Sequence, residues 1–293
     1  YNLKIKSMET STKNEIRECL MEYISRYKSQ NIAANTLTGI SGSYVSQIVN
    51  GKFSAISDDM WRKLALQIGW VNKGWIFTDT RISSQITQSI NLAKSRAINN
   101  ITPILARGGS GKTITAQNYA KSNREVLYIN CKRKLSLKSF LKGLLSAAGK
   151  TTEGLTSEVI SDMLISTISK MNNPVIIIDE ANKASDNILL EIIDLYNGLK
   201  YKCPIILLAT QEFKLRIERG VNKKMGYDEL HSRFNRQFID LGEPDYNDVA
   251  KVCIANGLSD ATQISDIAKS SLCDLRAVED KVKVQFLKQA KAA

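Results

Sequence analysis

Residues 104–113 read Ile-Leu-Ala-Arg-Gly-Gly-Ser-Gly-Lys-Thr. An apolar run that breaks into a glycine-dense turn and then a Lys-Thr pair suits the cradling of phosphates. Backbone N–H groups of such a turn, and of the helix that follows it, point together at an anion. The candidate cradle is Ala106, Arg107, Gly108, Gly109, Ser110, Gly111, Lys112 and Thr113, with Thr115 just beyond on the helix. Lys112 would reach the β- and γ-phosphates of ATP, and the Thr113 hydroxyl would bind Mg²⁺. The pattern wants glycine first, where Ala106 stands. That is a small departure, because the position need only leave the strand without a bulky side chain.

A second constellation supplies hydrolysis. The run Pro174-Val-Ile-Ile-Ile-Asp-Glu180 is an apolar strand that exits into two carboxylates. This is the Walker B pattern, in which Asp179 would hold Mg²⁺ and Glu180 would act as general base on the attacking water. A third apolar run, residues 203–209, exits into Thr210 and Gln211, again at the carboxyl edge where open α/β sheets place their ligands.

These residues need a parallel sheet to hold them. Strands are expected at 104–106, 125–130, 174–179, 203–209 and 238–241, with helices over 82–98 and 113–121 around the cradle. Beyond the last strand, a helix closed by Gly257 and further segments from Ala261 and over 274–288 form a small helical unit. Leu275, Val278, Val282 and Phe286 line its apolar face. Trp75, Ile76 and Phe77, in a linker over 70–80, are too apolar to hang free and are expected to pack on the following domain. The class is an α/β P-loop NTPase with flanking helices and a helical lid, preceded by an all-α domain. The expected bounds are 1–78, 79–242 and 243–293. Met8 looks like a natural start, so residues 1–7 are expected to be an extension or disordered.

The N-terminal part carries four short helical patterns. Two of them flank Gly39, and Ser41 can cap the second, which ends at Asn50-Gly51. This is a helix-turn-helix layout. A formal net charge of +12 over 293 residues points to a polyanionic partner, while the longest apolar runs are too short to span a bilayer. Lys132, Arg133, Lys134, Lys138 and Lys142 cluster after the second strand as a candidate phosphate contact line. Five scattered cysteines and the single His231 give neither a disulfide framework nor a histidine metal site. The protein is expected in the cytoplasm of a bacterium or of a phage-infected host.

Residues 37–52 resemble the phage-repressor type of helix-turn-helix. By that resemblance 41–50 is the recognition helix, with Ser43, Tyr44, Ser46 and Gln47 facing DNA and Lys52 adding a phosphate contact. From about Thr80 onward, the order of P-loop, Asp-Glu strand, polar-ended strand, Ser-Arg-Phe element and helical lid resembles the AAA+ ATPases. With the helix-turn-helix in front, the chain is similar to the phage Mu B transposition-protein type. That resemblance implies ATP with Mg²⁺, double-stranded DNA, a transposase partner and ATP-dependent self-assembly as an oligomer or helical filament. It also implies roles: Thr210 as sensor 1, Arg233 as the arginine finger with Arg236 as its alternative, and Arg276 as sensor 2. Cys273 stands where the family has glycine before the sensor-2 arginine. A helicase loader of the same fold and an ATP-sensing transcriptional regulator are the alternative functions.

Overall fold

The computed structural model describes residue 8 and residues 10–70, 75–95 and 101–292. The extension expected at 1–7 lies outside them, as do 71–74 of the linker and the end of the helix expected over 82–98. The chain divides into two compact units. One comprises Asp79–Asp248 with Asp274–Arg276, the other Tyr1–Thr78 with Val249–Cys273 and Ala277–Ala293.

The N-terminal part of the second unit contains helices α1 (Thr10–Ser25), α2 (Gln30–Asn35), α3 (Gly42–Val49) and α4 (Asp58–Gln67). Serine hydroxyls start three of them: Ser29 accepts the Ile32 N–H, Ser41 that of Tyr44 and Ser57 that of Met60. Ile16, Leu20, Val45, Ile48, Trp61 and Leu64 are buried completely and form one core with Ala34 and Leu37. The Arg17 guanidinium donates to the Val49 carbonyl through Nε at 2.9 Å and Nη2 at 2.8 Å. A cation on the last carbonyls of α3 satisfies an orphan acceptor and complements the helix dipole. It fixes α3 against α1.

The first unit begins with α5 (Arg81–Ser95), capped by Thr80, whose hydroxyl accepts the Ser83 N–H at 3.1 Å. Five parallel strands follow: β1 (Ile101–Leu105), β2 (Val126–Asn130), β3 (Val175–Asp179), β4 (Ile205–Ala209) and β5 (Ile239–Asp240). Their order in the sheet is β2-β3-β4-β1-β5. Every residue of β3 and β4 is buried, as central strands covered on both faces should be. The connecting helices are α6 (Lys112–Ser122), α7 (Leu137–Ala147), α8 (Ser157–Ser169), α9 (Asp186–Gly198), α10 (Gln211–Gly220) and α11 (Tyr227–Arg233). One core packs α7, α8 and α9 on the sheet, and another packs α5 on it through Ile82, Ile86 and Ile90.

The C-terminal helices are α12 (Tyr246–Ala255), α13 (Ala261–Ser271) and α14 (Leu275–Ala292). Val249, Cys253, Ile264, Val278 and Val282 are buried among them. The apolar linker, expected to pack on the domain that follows it, has partners among these C-terminal helices. Asn256 accepts the Ile76 N–H at 2.8 Å and donates to the Ile76 carbonyl at 3.0 Å, and Lys283 lies over the Trp75 ring. Among the described residues, no helix is long and apolar enough to cross a membrane.

Candidate active site

Parallel pairing lines up the strand ends that carry the chemistry. Leu105 stands opposite Ala209, Ile178 opposite Leu207 and Asn130 opposite Asp179. Since β4 lies between β1 and β3, Thr210 emerges between the glycine turn and the Asp179-Glu180 exit. The sheet thus brings three motifs from distant parts of the chain to one edge.

The turn after β1 is built on left-handed glycines, Gly109 at φ +72° and Gly111 at φ +87°. Ala106 continues the ladder, its N–H donating to the Ala209 carbonyl at 3.1 Å. Its methyl is buried among Ile104, Ile206 and Leu208, so a small side chain at this position adds to the core rather than blocking the turn. Lys112 opens α6 and is 8% exposed. Its ammonium donates to the Ala106 and Arg107 carbonyls at 2.7 and 2.8 Å. Burial pulls the Lys112 ammonium below the usual lysine range; Asp179 and Glu180 pull the other way, and Arg276 adds to the depression. These four groups therefore share one electrostatic environment.

Asp179 is fully buried. Its Oδ2 accepts the Tyr128 hydroxyl at 3.1 Å and the Asn130 amide at 3.2 Å, while Oδ1 accepts the Glu180 N–H at 2.9 Å. Tyr128 and Asn130 escaped the sequence reading. The available signal was their alternate placement on a strand in register with the carboxylate. Burial pushes the Tyr128 phenol up, and the Asp179 charge adds to this, so it stays a donor. Glu180 takes a left-handed backbone, φ +55°, and pairs with Lys183 Nζ at 3.0 Å. Non-glycine residues held there carry strain of about 1–3 kcal/mol, which concentrates at functional positions.

Buried hydroxyls test whether this edge suits a nucleotide. Ser110 Oγ and Thr210 Oγ1 are both buried with no hydrogen-bond partner. Orphaned hydroxyls beside a buried lysine are groups that phosphate oxygens can satisfy. Thr113 is half-buried and its hydroxyl makes no hydrogen bond among the described residues, which leaves it available to a cation. Thr115 differs from expectation: its hydroxyl donates to the Gly111 carbonyl at 2.9 Å and tightens the first turn of α6. A cleft of about 480 Å³ opens beside the turn, lined by Arg107, Gly108, Thr210, Gln211, Asp240 and Gly242 among others. Arg107 is held at its rim by Glu243 at 2.8 Å. Among the described residues no group of His, Cys, Asp and Glu could alone hold a metal, so Mg²⁺ would depend on Thr113, Asp179 and the phosphates together.

The arginines separate by environment. Arg233 pairs with Glu229 at 3.0 Å, stacks on Tyr196 at 5.2 Å and buries its Nε. Arg236 sits at the reversal after α11, at φ +56°, with a side chain 61% exposed and a longer 3.6 Å pair to Asp228. Arg276 is exposed on the first turn of α14, and its N–H donates to Asp274 Oδ1 at 2.9 Å. Cys273 adopts φ +56°, directly after Leu272 at φ +51°. That is the conformation glycine takes without cost. Cys273→Gly should therefore raise stability by on the order of 1 kcal/mol in thermal or urea melts. A destabilised variant would show that the thiol's packing outweighs the backbone strain.

Lys132, Arg133, Lys134 and Lys138 are exposed and Lys142 half-buried, and none has an ion-pair partner among the described residues. Their turn starts beside Cys131, whose N–H donates to the Asp179 carbonyl at 2.9 Å. Burial pushes the Cys131 thiol up to about 12, then Asp179 and Glu180 add to this, so it is inert. Among the described residues no cysteine forms a disulfide. On α3 and the turn that follows it, Ser43 and Lys52 are exposed, Gln47 is half-buried, and Tyr44 packs partly on the core. The Ser46 hydroxyl and carbonyl are both engaged by Asn50.

Residues 99–217 match the family described as AAA domain, which points to ATP binding and hydrolysis. No curated protein matches the chain. Many solved structures share its fold, two DNA complexes among them. One is the Aeropyrum pernix ORC1 protein in complex with DNA, at TM-score 0.57 and 11% identity over 78% of this chain and 64% of that one. The other is Drosophila ORC bound to DNA, at TM-score 0.51 and 16% identity over 83% and 63%. The chain thus spans slightly less than two thirds of either protein. At these identities the likeness is one of fold: a parallel five-stranded AAA+ sheet with flanking helices, a C-terminal helical lid and an N-terminal helical region.

Proposed function

We propose, from an AAA domain at residues 99–217, that this protein is an ATP-dependent DNA-binding ATPase of the phage Mu B type. It assembles as an oligomer or filament on duplex DNA and delivers that DNA to a transposase. Its working parts are a helix-turn-helix region (1–78), an ATPase core (79–242) and a lid (243–293). The observation that carries the reading is the basic run Lys132-Arg133-Lys134, unpaired and one residue removed from a backbone bond to Asp179. It gives a polyanion a contact beside the hydrolytic strand.

In this reading the glycine turn and Lys112 bind the β- and γ-phosphates. Thr113 and Asp179 would hold Mg²⁺, which when bound neutralises charge developing on the phosphates. Tyr128 and Asn130 fix the Asp179 carboxylate. Glu180 takes the proton of the attacking water, and Thr210 orients the γ-phosphate end. An arginine of the α11 reversal completes the site of a neighbouring copy, so ATP favours assembly by mass action and hydrolysis releases it.

The test is electron microscopy of the protein with duplex DNA of arbitrary sequence, with and without a non-hydrolysable ATP analogue. Nucleotide-dependent coating of the duplex is expected. Protection of one defined site without nucleotide would mark a regulator, and capture of a replicative helicase without a transposase would mark a helicase loader. A further expectation concerns salt. Changing Lys132, Arg133 and Lys134 together to Ala should flatten the slope of log affinity against log salt by about 2–3, at roughly 0.9 per lost phosphate contact. A slope unchanged in binding titrations would remove this loop from the DNA path.

A further inference from the structure

We infer that Asp274 is a nucleotide-discriminating residue, a fixed carboxylate laid on the phosphate-binding turn that opposes the entry of a triphosphate. The inference rests on the reading of residues 106–113 as the phosphate cradle. Two contacts carry it. The bare face of Gly109 is covered by the Asp274 side chain, so that a Cβ at this position would collide with Oδ1, Cγ and Oδ2 of the carboxylate. Beside it, the Leu275 N–H donates to the Gly109 carbonyl at 2.9 Å, which seats the start of α14 on the turn. The two left-handed residues before Asp274 direct the chain into this place.

The sign of the charge gives the consequence. A turn whose N–H groups converge on an anion also attracts a carboxylate, so Asp274 has the same sign as the phosphates it adjoins. A like charge within a few ångströms in a partly desolvated site weakens phosphate binding unless nearby cations offset it. Arg276 stands two residues on in the chain, and it repels the Lys112 ammonium. The penalty grows with ligand charge, so it bears more on ATP than on ADP. Gly109 is then required twice, once for its φ of +72° and once because Asp274 occupies the space of a side chain.

Asp274 also starts α14 by accepting the Arg276 N–H, and the test must keep this role. Asn caps helices as well as Asp does, so Asp274→Asn removes the charge and retains the cap. Fluorescent ATP and ADP analogues would be titrated into the full chain without hydrolysis, alongside Lys112→Ala. Asp274→Asn is expected to bind the ATP analogue about tenfold more tightly and the ADP analogue only a few-fold more tightly. Asp274→Ser, which also caps, should behave alike and serves if the first variant melts early. ATP affinity unchanged or weakened in either folded variant overturns the role of Asp274 alone. Wild-type protein that binds neither analogue, or binds them unchanged after Lys112→Ala, overturns the phosphate-cradle reading and this inference with it.

Discussion

Glu180→Gln is expected to lower ATP turnover by about 10²- to 10⁴-fold, the usual worth of a general base, while ATP and duplex DNA stay bound. The amide has nearly the volume of the carboxylate and keeps the left-handed backbone at φ +55°, so the site should keep its shape. What it loses is the basic oxygen and the ion pair with Lys183. That pair matters for the interpretation, because the Lys183 ammonium engages the Glu180 Oε2 at 3.0 Å and must release it before that oxygen can take a proton from water. Lys183→Ala is therefore the natural companion, with turnover equal to or above wild type. Single-turnover kinetics on preformed complexes with DNA would separate chemistry from assembly. A Glu180→Gln protein within tenfold of wild-type turnover would remove Glu180 from the base role.

The strands and their polar exits were legible in the sequence because each is a short apolar run with an abrupt chemical change at its end. Ile104-Leu105-Ala106 before the glycines and Val175 to Ile178 before Asp179 are fully buried, and full burial leaves little choice of residue. The N-terminal helix α3 was legible through its cap, Ser41, whose hydroxyl accepts the Tyr44 N–H. What sequence could not give is which side chains lie between motifs. Tyr128 and Asn130 look like ordinary strand residues until β2 pairs with β3 and places them against Asp179. Thr115, two residues beyond Thr113 on α6, has a hydroxyl that donates to the Gly111 carbonyl, a local bond that sequence spacing does not reveal. The adjacency of Asp274 and Gly109 joins positions far apart in the chain, and no local pattern encodes it.

The choice of arginine illustrates the same limit and leads to the other large expected effect. By resemblance Arg233 came first, since it lies in the Ser-Arg-Phe element. The fold commits Arg233 to its own subunit, between Glu229 and the Tyr196 ring with Nε buried. A finger that reaches another copy must be exposed and cheaply detached from local partners. Arg236 meets both conditions: its side chain is 61% exposed, and its pair with Asp228, at 3.6 Å between exposed groups, is of the kind that contributes about 0–1 kcal/mol. Arg236→Ala should then lower DNA-stimulated turnover by about 10³-fold or more with unchanged melting. Arg233→Ala should instead lower the melting temperature, with turnover falling only as the folded fraction falls. Mixing Arg236→Ala with Lys112→Ala is the decisive arrangement, because the second variant cannot use ATP but still offers its Arg236 to a neighbour. Turnover of the mixture above the sum of its parts is expected. If the two variants co-assemble and the mixture stays silent, Arg236 does not act across the interface; a folded Arg233→Ala protein that alone loses turnover would return the role to Arg233.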